Sequence, residues 1–101
     1  LEEAVVGAAE VRALFHSSRV GTIAGCYVSE GRMVRGATIR VRRRGDVVYE
    51  GRLDSLRHLK EDVAEIAQGF ECGIAVEGFN DFQAGDIIEC VEQREVRRAA
   101  L

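Results

Sequence analysis

The first nine residues carry apolar side chains at a helical spacing. Four of them share this spacing: Leu1, Ala4, Val5 and Ala8. Glu2 and Glu3 fall in the first turn, where negative charge favours the positive end of a helix dipole. The pattern predicts the end of a linker helix over residues 1–9, followed by a domain over residues 10–98 and a tail over residues 99–101.

From Val11 onwards the spacing changes to the alternation that is typical of β-strands. Short strands are predicted at residues 11–15, 21–28, 38–42 and 47–53. In the third of these, Ile39 and Val41 face inward and alternate with outward arginines. A turn at residues 44–46 joins the last two strands into a hairpin. Glycine recurs at short intervals and proline is absent, so the pattern indicates a barrel or sandwich of short strands.

Residues 54–68 fit this picture poorly. Five apolar residues in this segment have helical spacing: Leu56, Leu59, Val63, Ile66 and Ala67. Asp54 or Ser55 is a suitable N-cap, and Gly69 is a suitable stop at the other end. Periodicity alone therefore predicts a helix here.

The composition narrows the class of protein. The chain has 101 residues, 47% hydrophobic and 31% charged, which suits one folded core. A net charge of −3 disfavours a general nucleic-acid binder, so RNA binding would need a local patch or a shaped pocket. No apolar run approaches the roughly 20 residues of a membrane helix, and no secretory signal is visible. Three cysteines without CxxC spacing fit free thiols in the cytoplasm, with neither a disulfide framework nor a metal site.

Six arginines cluster on and near the third predicted strand: Arg32, Arg35, Arg40, Arg42, Arg43 and Arg44. Guanidinium groups are well shaped to contact phosphates, and binding to a nucleic-acid backbone requires such positive charge. The same run is also typical of the solvated face of an outer strand. The sequence leaves both interpretations open.

Cys72 and His58 raise the question of a nucleophilic pair. Such a pair needs an orienting third group and an oxyanion hole, and the residues around Cys72 supply neither. It would also need a thiol pKa well below the free value. The residues themselves favour Cys26 and Cys72 as small buried hydrophobic side chains, and we expect no catalytic residues.

The pattern of residues 64–88 predicts three strands joined by two glycine turns. Together with residues 21–26 and 54–62, this stretch resembles the C-terminal domain of bacterial translation initiation factor two. The resemblance implies an all-β fold, a closed antiparallel six-stranded barrel of the type found as the second domain of elongation factors. It also implies that Leu56 and Ile66 lie on strands separated by an exposed turn, in place of the helix.

In that family the domain holds the formylmethionyl end of initiator tRNA and catalyses no reaction. The resemblance places the pocket at eight residues: Gly25, Cys26, Arg57, His58, Leu59, Glu71, Cys72 and Gly73. A methionine side chain suits a soft apolar cleft, and Arg57 would hold a terminal phosphate or ribose. The family usually has two basic residues and an aromatic one where this chain has residues 57–59, so His58 and Leu59 depart from the pattern.

The resemblance also implies the partners. They are formylmethionyl initiator tRNA and, through a larger parent protein, the ribosome, with no membrane contact and a monomeric state. The chain begins at Leu1 rather than Met, so we expect a piece of that parent. No phosphate-cradling GxxxxGK[ST] motif occurs, so GTP and Mg would belong to a separate GTPase domain and this one would have no cofactor. The alternative is a ribosome-docking barrel of another translational GTPase that works through its arginines.

Overall fold

The computed structural model describes residues 2–94. Eight strands and no helix are found in this range. They are β1 Glu2–Ser17, β2 Gly21–Val34, β3 Thr38–Arg43, β4 Asp46–His58, β5 Glu61–Asp62, β6 Glu65–Ala67, β7 Glu71–Val76 and β8 Ile87–Arg94. Accordingly, no helix of the described part of the chain is long and apolar enough to cross a membrane.

Six of the strands close into an antiparallel barrel. Their order is β1-β8-β3-β4-β7-β2, and β2 pairs again with β1 to complete the ring. The two short strands lie off the ring, β5 against β4 and β6 against β2. Closure leaves no unpaired edge in the wall. The predicted all-β, closed six-stranded barrel is therefore confirmed, as is the hairpin of β3 and β4.

The predicted N-terminal helix is wrong. Residues 2–9 are part of β1, which pairs with β8 on one side and with β2 on the other. Gly7 lies opposite Gly31, and a Cβ on Gly7 would be 1.9 Å from the carbonyl oxygen of Arg32. Backbone pairing of β1 with its two neighbouring strands outweighs the local helical periodicity. Leu1, residues 95–98 of the predicted domain and the predicted tail at 99–101 lie outside the described residues.

The segment from residue 54 to residue 68 forms strands joined by a turn, as the resemblance implied. Leu56 and Ile66 are buried, with exposed fractions of 0% and 7%, and they belong to the core. Leu59, which the helical pattern would place on the same buried face, is 87% exposed. The helix that periodicity predicts would need Leu59 buried, so tertiary packing decides against it.

The barrel encloses one core to which every strand of the ring contributes. Its main members are Ala9, Val11, Ala24, Cys26, Val28, Met33, Ile39, Val41, Leu53, Leu56, Cys72, Ile74, Val76, Phe82, Ile88 and Cys90. Ile39 and Val41 are fully buried, which confirms the predicted face of β3. Phe79 is half-buried, stacks on Tyr49 at 4.7 Å and packs against this core.

Asp86 is the one buried charged side chain among residues 3–93, for which side-chain burial is described. Arg43 donates to both of its oxygens at 3.0 Å, and the backbone N–H of Gln83 donates at 2.9 Å. Burial by itself raises the pKa of Asp86, but the hydrogen bonds from Arg43 and Gln83, with the charge of Arg43, outweigh it and lower the pKa. This contact ties the end of β3 to the loop that leads into β8.

Candidate functional site

A cleft with a volume of about 400 Å³ runs across the outer face of four neighbouring strands, β4, β7, β2 and β1. It is lined by Arg12, Ala13, Phe15, Ile23, Gly25, Cys26, Arg57, His58, Leu59, Glu71, Cys72 and Gly73. All eight residues that the resemblance singled out are in this list. Although they come from three separate stretches of sequence, strand pairing brings them together at one place.

Two glycines form the floor of the cleft. Gly25 on β2 lies directly opposite Gly73 on β7, and Arg57 on β4 lies opposite Gly73 on the other side. A Cβ on Gly25 would be 2.9 Å from Cε2 of Phe15, and a Cβ on Gly73 would be 3.2 Å from Cγ2 of Ile23. The depression therefore exists because these two outward positions have no side chain.

The cysteines lie at the base of the cleft and mostly inside the barrel. Cys26 and Cys72 are direct partners across β2 and β7, and their exposed fractions are 2% and 6%. The thiol of Cys26 donates to the carbonyl oxygen of Ala24 at 3.4 Å. Burial confirms the expectation of small hydrophobic side chains. Any ligand would touch them only at the deepest point.

The same burial sets the chemistry of these thiols. Burial raises the pKa of Cys72 to about 12. It raises the pKa of Cys26 further, and the neighbouring Cys72 adds to that rise. Both groups therefore stay protonated at neutral pH. This is the opposite of the low pKa that the nucleophilic pair with His58 would need, so that hypothesis loses its support.

The turn after β4 forms one rim of the cleft. Nδ1 of His58 lies 2.9 Å from the carbonyl oxygen of Glu71, and the edge of the ring meets Phe70 with centroids 5.7 Å apart. Nε of Arg57 donates to Asp62 at 2.9 Å. Leu59 has a backbone φ of 58°, in the left-handed region that leucine rarely adopts, and its side chain stands in solvent. The rim thus combines one cation, one ring and one exposed apolar group.

Four lining residues were missed from the sequence, and a β-bulge explains three of them. Val11 lies opposite Cys26 while Ala13 lies opposite Gly25, so Arg12 is an extra residue in β1. Val11 faces inward, and without the bulge Ala13 and Phe15 would also face inward. The bulge turns them out into the cleft. Ile23, the fourth, lies on the outer face of β2, two residues before Gly25.

The bulge is held in place by the loop before β8. The N–H of Val11 donates to the carbonyl oxygen of Asp86, and the N–H of Gly85 donates to the carbonyl oxygen of Val11, both at 2.8 Å. The alternation of residues 11–15 carries no sign of this shift, because the partners that fix it lie about 70 residues further along the chain. Sequence reasoning had no signal for it.

A second surface carries four of the six arginines that cluster in the sequence, three of them on β3 and one on β2. We name Arg32, Arg40, Arg42 and Arg43 the arginine belt. Each of them has an acidic partner: Arg40 contacts Glu3 and Glu50, Arg42 contacts Glu89, Arg43 contacts Asp86, and Arg32 contacts Glu65 and Glu92. The hydrogen bonds that Arg40 donates to Glu50 and Glu3 raise its pKa. The positive charge of these four arginines is therefore largely neutralised within the domain. Arg35 and Arg44, the other two of the cluster, are exposed and form no ion pair with residues of the described part of the chain.

Other parts of the surface are less deeply indented than the cleft. A shallow polar groove borders Tyr49, Gly51 and Arg52, where basic and acidic side chains are mixed. Within residues 2–94, no three His, Cys, Asp or Glu side chains are placed to hold a metal ion together. The cleft is therefore the strongest candidate site.

Comparison with known proteins identifies the family. No family model matches the sequence. The chain is 54% identical to translation initiation factor IF-2 of Geobacillus thermodenitrificans and of Geobacillus stearothermophilus. Each alignment extends over 98 residues and covers 97% of this chain. It is also 54% identical over 97 residues to translation initiation factor IF-2 of Staphylococcus aureus, which covers 96% of it. The chain spans 13% and 14% of the length of these relatives, respectively. It therefore belongs to the family of the C-terminal domain of translation initiation factor IF-2.

Proposed function

We propose that this domain binds the formylmethionyl acceptor end of initiator tRNA in translation initiation and catalyses no reaction itself. The observation that carries the proposal is the gathering of eight predicted residues around a single cleft. Its volume of about 400 Å³ lies within the range of small-molecule sites and suits an acylated amino acid with part of a ribose. The names of the relatives support a role in translation initiation.

The lining explains how the ligand would be held. Apolar atoms of Phe15 and Ile23 line the cleft beside the glycine floor, and they would cover a methionine side chain. Formylation turns the charged α-amine of methionine into a neutral amide. A free ammonium group would lose its hydration in such a cleft, and this cost selects the formylated form. Selectivity of this kind needs no reacting residue.

We expect two arginines to meet the tRNA backbone. Arg57 and Arg12 lie at opposite sides of the cleft, and their side chains are 47% and 56% exposed. Arg12 stacks over the ring of Tyr27 at 4.5 Å, which orients its guanidinium group. Each arginine already pairs with one carboxylate, Asp62 or Glu10, at the surface. Exposed pairs of this kind are weak, so a phosphate could replace or share them.

The remaining assignments concern the larger protein. The domain would act in the cytoplasm, as a monomeric module of a parent protein that contacts the ribosome. GTP and Mg would be bound by a separate GTPase domain of that parent, and this domain would need no cofactor. A docking role through the arginine belt is the alternative. It is less well supported, because the belt already has acidic partners within the domain.

The test compares two forms of one tRNA. The affinity of the chain for formylmethionyl initiator tRNA is measured beside that for the same tRNA carrying unformylated methionine, at one fixed salt concentration. We expect clear preference for the formylated form. Equal affinity for the two forms would refute recognition of the formyl group, and absence of binding would refute the proposed function as a whole.

A further inference from the structure

We propose that His58 is a specificity-determining residue of the cleft, whose Nε2 accepts a hydrogen bond from a neutral N–H or O–H group at the acceptor end of the tRNA. The inference rests on the proposed function, because it assigns a role to one residue of the same site. It differs from the phosphate contact that a basic residue at this position would make. The reason lies in the backbone around the ring.

The carbonyl group of Glu71 decides which ring nitrogen carries the proton. It lies 2.9 Å from Nδ1 of His58. A carbonyl oxygen only accepts, so Nδ1 must be the donor. In the neutral ring the other nitrogen, Nε2, then has a lone pair and no hydrogen. Among the hydrogen bonds of residues 2–94, the ring takes part in this one alone, so Nε2 is available to a ligand.

The ring is also held in a fixed orientation. His58 ends β4, where its backbone pairs with Glu61 of β5. The edge-to-face contact with Phe70, at an interplanar angle of 82°, fixes the plane of the ring. A group that is already ordered loses little conformational entropy on binding. The acceptor is therefore preorganised in the wall of the cleft.

An acceptor at Nε2 selects a hydrogen-bond donor over a phosphate oxygen. The lone pair of Nε2 would repel a phosphate oxygen, whereas an N–H or O–H group fits it. The acceptor end carries two such groups near a bound methionine, the N–H of the formamide and a hydroxyl of the terminal ribose. In this proposal the phosphate is contacted by the two arginines at opposite sides of the cleft, Arg57 on β4 and Arg12 on β1.

Two substitutions separate the two roles of the ring. One is the hydrogen bond that Nδ1 donates to Glu71, which we call the anchor, and the other is the acceptor at Nε2. His58→Asn keeps an N–H near the position of Nδ1, which can still donate to Glu71, but has no acceptor at the position of Nε2. His58→Gln places an amide oxygen near Nε2 and loses the anchor. We expect His58→Asn to weaken binding of formylmethionyl initiator tRNA by about 2- to 10-fold, the worth of one hydrogen bond, and His58→Gln to retain more affinity. Unchanged affinity in His58→Asn would overturn the assignment while leaving the proposed function intact.

The protonation of the ring can be read without any ligand. Nitrogen-15 spectra of the free chain should show that the neutral ring of His58 carries its proton on Nδ1 and none on Nε2. A proton on Nε2 of the neutral ring would overturn the inference whatever the tRNA does. Addition of formylmethionyl initiator tRNA should then shift the Nε2 resonance, and an unmoved resonance in the bound state would also overturn it.

A modified tRNA identifies the donor. Formylmethionyl initiator tRNA whose terminal ribose lacks its 2′-hydroxyl is bound to the wild-type chain and to His58→Asn. If the substitution no longer costs affinity, the hydroxyl is the donor. If the cost persists, the donor is the formamide N–H. A persistent cost together with an unmoved Nε2 resonance in the bound state would overturn the acceptor role of His58.

Discussion

The cleft and the arginine belt lie on the same barrel and differ in how charge and apolar surface are arranged. In the belt, every arginine meets at least one carboxylate, and Arg43 and Asp86 form a pair whose acid is 1% exposed. Around the cleft, Gly25 and Gly73 present no side chain at the floor, and three apolar side chains nearby, those of Phe15, Leu59 and Phe70, are 58%, 87% and 51% exposed. The arginines of the belt have carboxylate partners within the domain, whereas the cleft leaves apolar side chains exposed to solvent.

This difference shows that the number of charges in a stretch of sequence is a poor guide to a binding surface. A phosphate that approached the belt would have to displace carboxylates that are already in contact. A ligand that entered the cleft would cover exposed apolar groups and displace little. The belt is therefore expected to contribute to stability and the cleft to recognition. Four substitutions test this division.

The largest effect is expected from filling the floor of the cleft. Gly73→Leu adds an outward side chain where the ligand would lie, and we expect it to weaken formylmethionyl initiator tRNA binding by roughly 100-fold, about 3 kcal/mol. The fold should persist, because only the half-exposed side chain of Ile23 must move. Thr38→Leu, which adds the same group to the outer face of β3, is the control and should bind normally. A folded Gly73→Leu chain with normal affinity would contradict the cleft as the site.

The next effect concerns the belt and stability. The pKa of Asp86 is lower in the folded chain than its ordinary value of 3.8, so its contribution to stability is complete above that value and is lost as the pH falls below it. We expect the free energy of unfolding, measured by urea titration, to fall between about pH 4.5 and pH 2.

Asp86→Asn provides the control for this pH dependence. It should lower the free energy of unfolding by about 2 kcal/mol near pH 7 and reduce its slope below pH 4.5. It should leave tRNA affinity unchanged as long as the variant is folded. An identical slope in the variant and the wild type would show that Asp86 is not the group responsible.

A smaller effect separates the two sets of arginines. Arg57→Ala should weaken tRNA binding by about 2- to 5-fold and reduce the slope of log affinity against log salt by about 0.7, the value for one phosphate contact on a single strand. Arg40→Ala, on the belt, should change neither quantity. If Arg40→Ala alone reduces the slope, the belt is the surface that meets the backbone and the division proposed above is wrong.

The smallest effect is expected at the strained turn of the rim. Leu59 and Arg44 both have left-handed backbone, with φ of 58° and 54°, and asparagine tolerates that conformation better than either. Leu59→Asn should raise the free energy of unfolding by up to about 1 kcal/mol and weaken tRNA binding by about twofold. Arg44→Asn, away from the cleft, should stabilise similarly with no change in affinity. A loss of affinity of equal size in both variants would rule out a contact by Leu59.

Much of the fold could be read from the sequence, because alternation and glycine turns are local signals. Ile39 and Val41 revealed the inner face of β3, and the turn at residues 44–46 revealed its hairpin. Residues 2–9 could not be read in this way, since their helical spacing gives no information about pairing with β2 and β8. The helical pattern of residues 54–68 was overruled by tertiary packing, which buries Leu56 and Ile66 on strands and leaves Leu59 87% exposed.

The residues of the candidate site also fall into two groups, those that the sequence could reveal and those that depend on tertiary contacts. Its eight predicted residues came from motifs that a family resemblance could recognise, and the cleft contains all of them. Phe15 escaped notice because the bulge at Arg12 depends on backbone bonds to the loop before β8. The pairing of the belt was equally hidden, since Arg42 and Glu89 meet across 47 residues of sequence. Contacts that only strand register creates cannot be inferred from spacing along the chain.

The most direct test of the division between cleft and belt is a map of backbone amide resonances as formylmethionyl initiator tRNA is added to the labelled chain. The account predicts that the largest changes fall on β2, β7 and the turn after β4, around Gly25, Gly73 and Leu59, while the amides of Arg40 and Arg42 stay in place. Changes concentrated on β3 with an unperturbed cleft would contradict it and make the arginine belt the working surface.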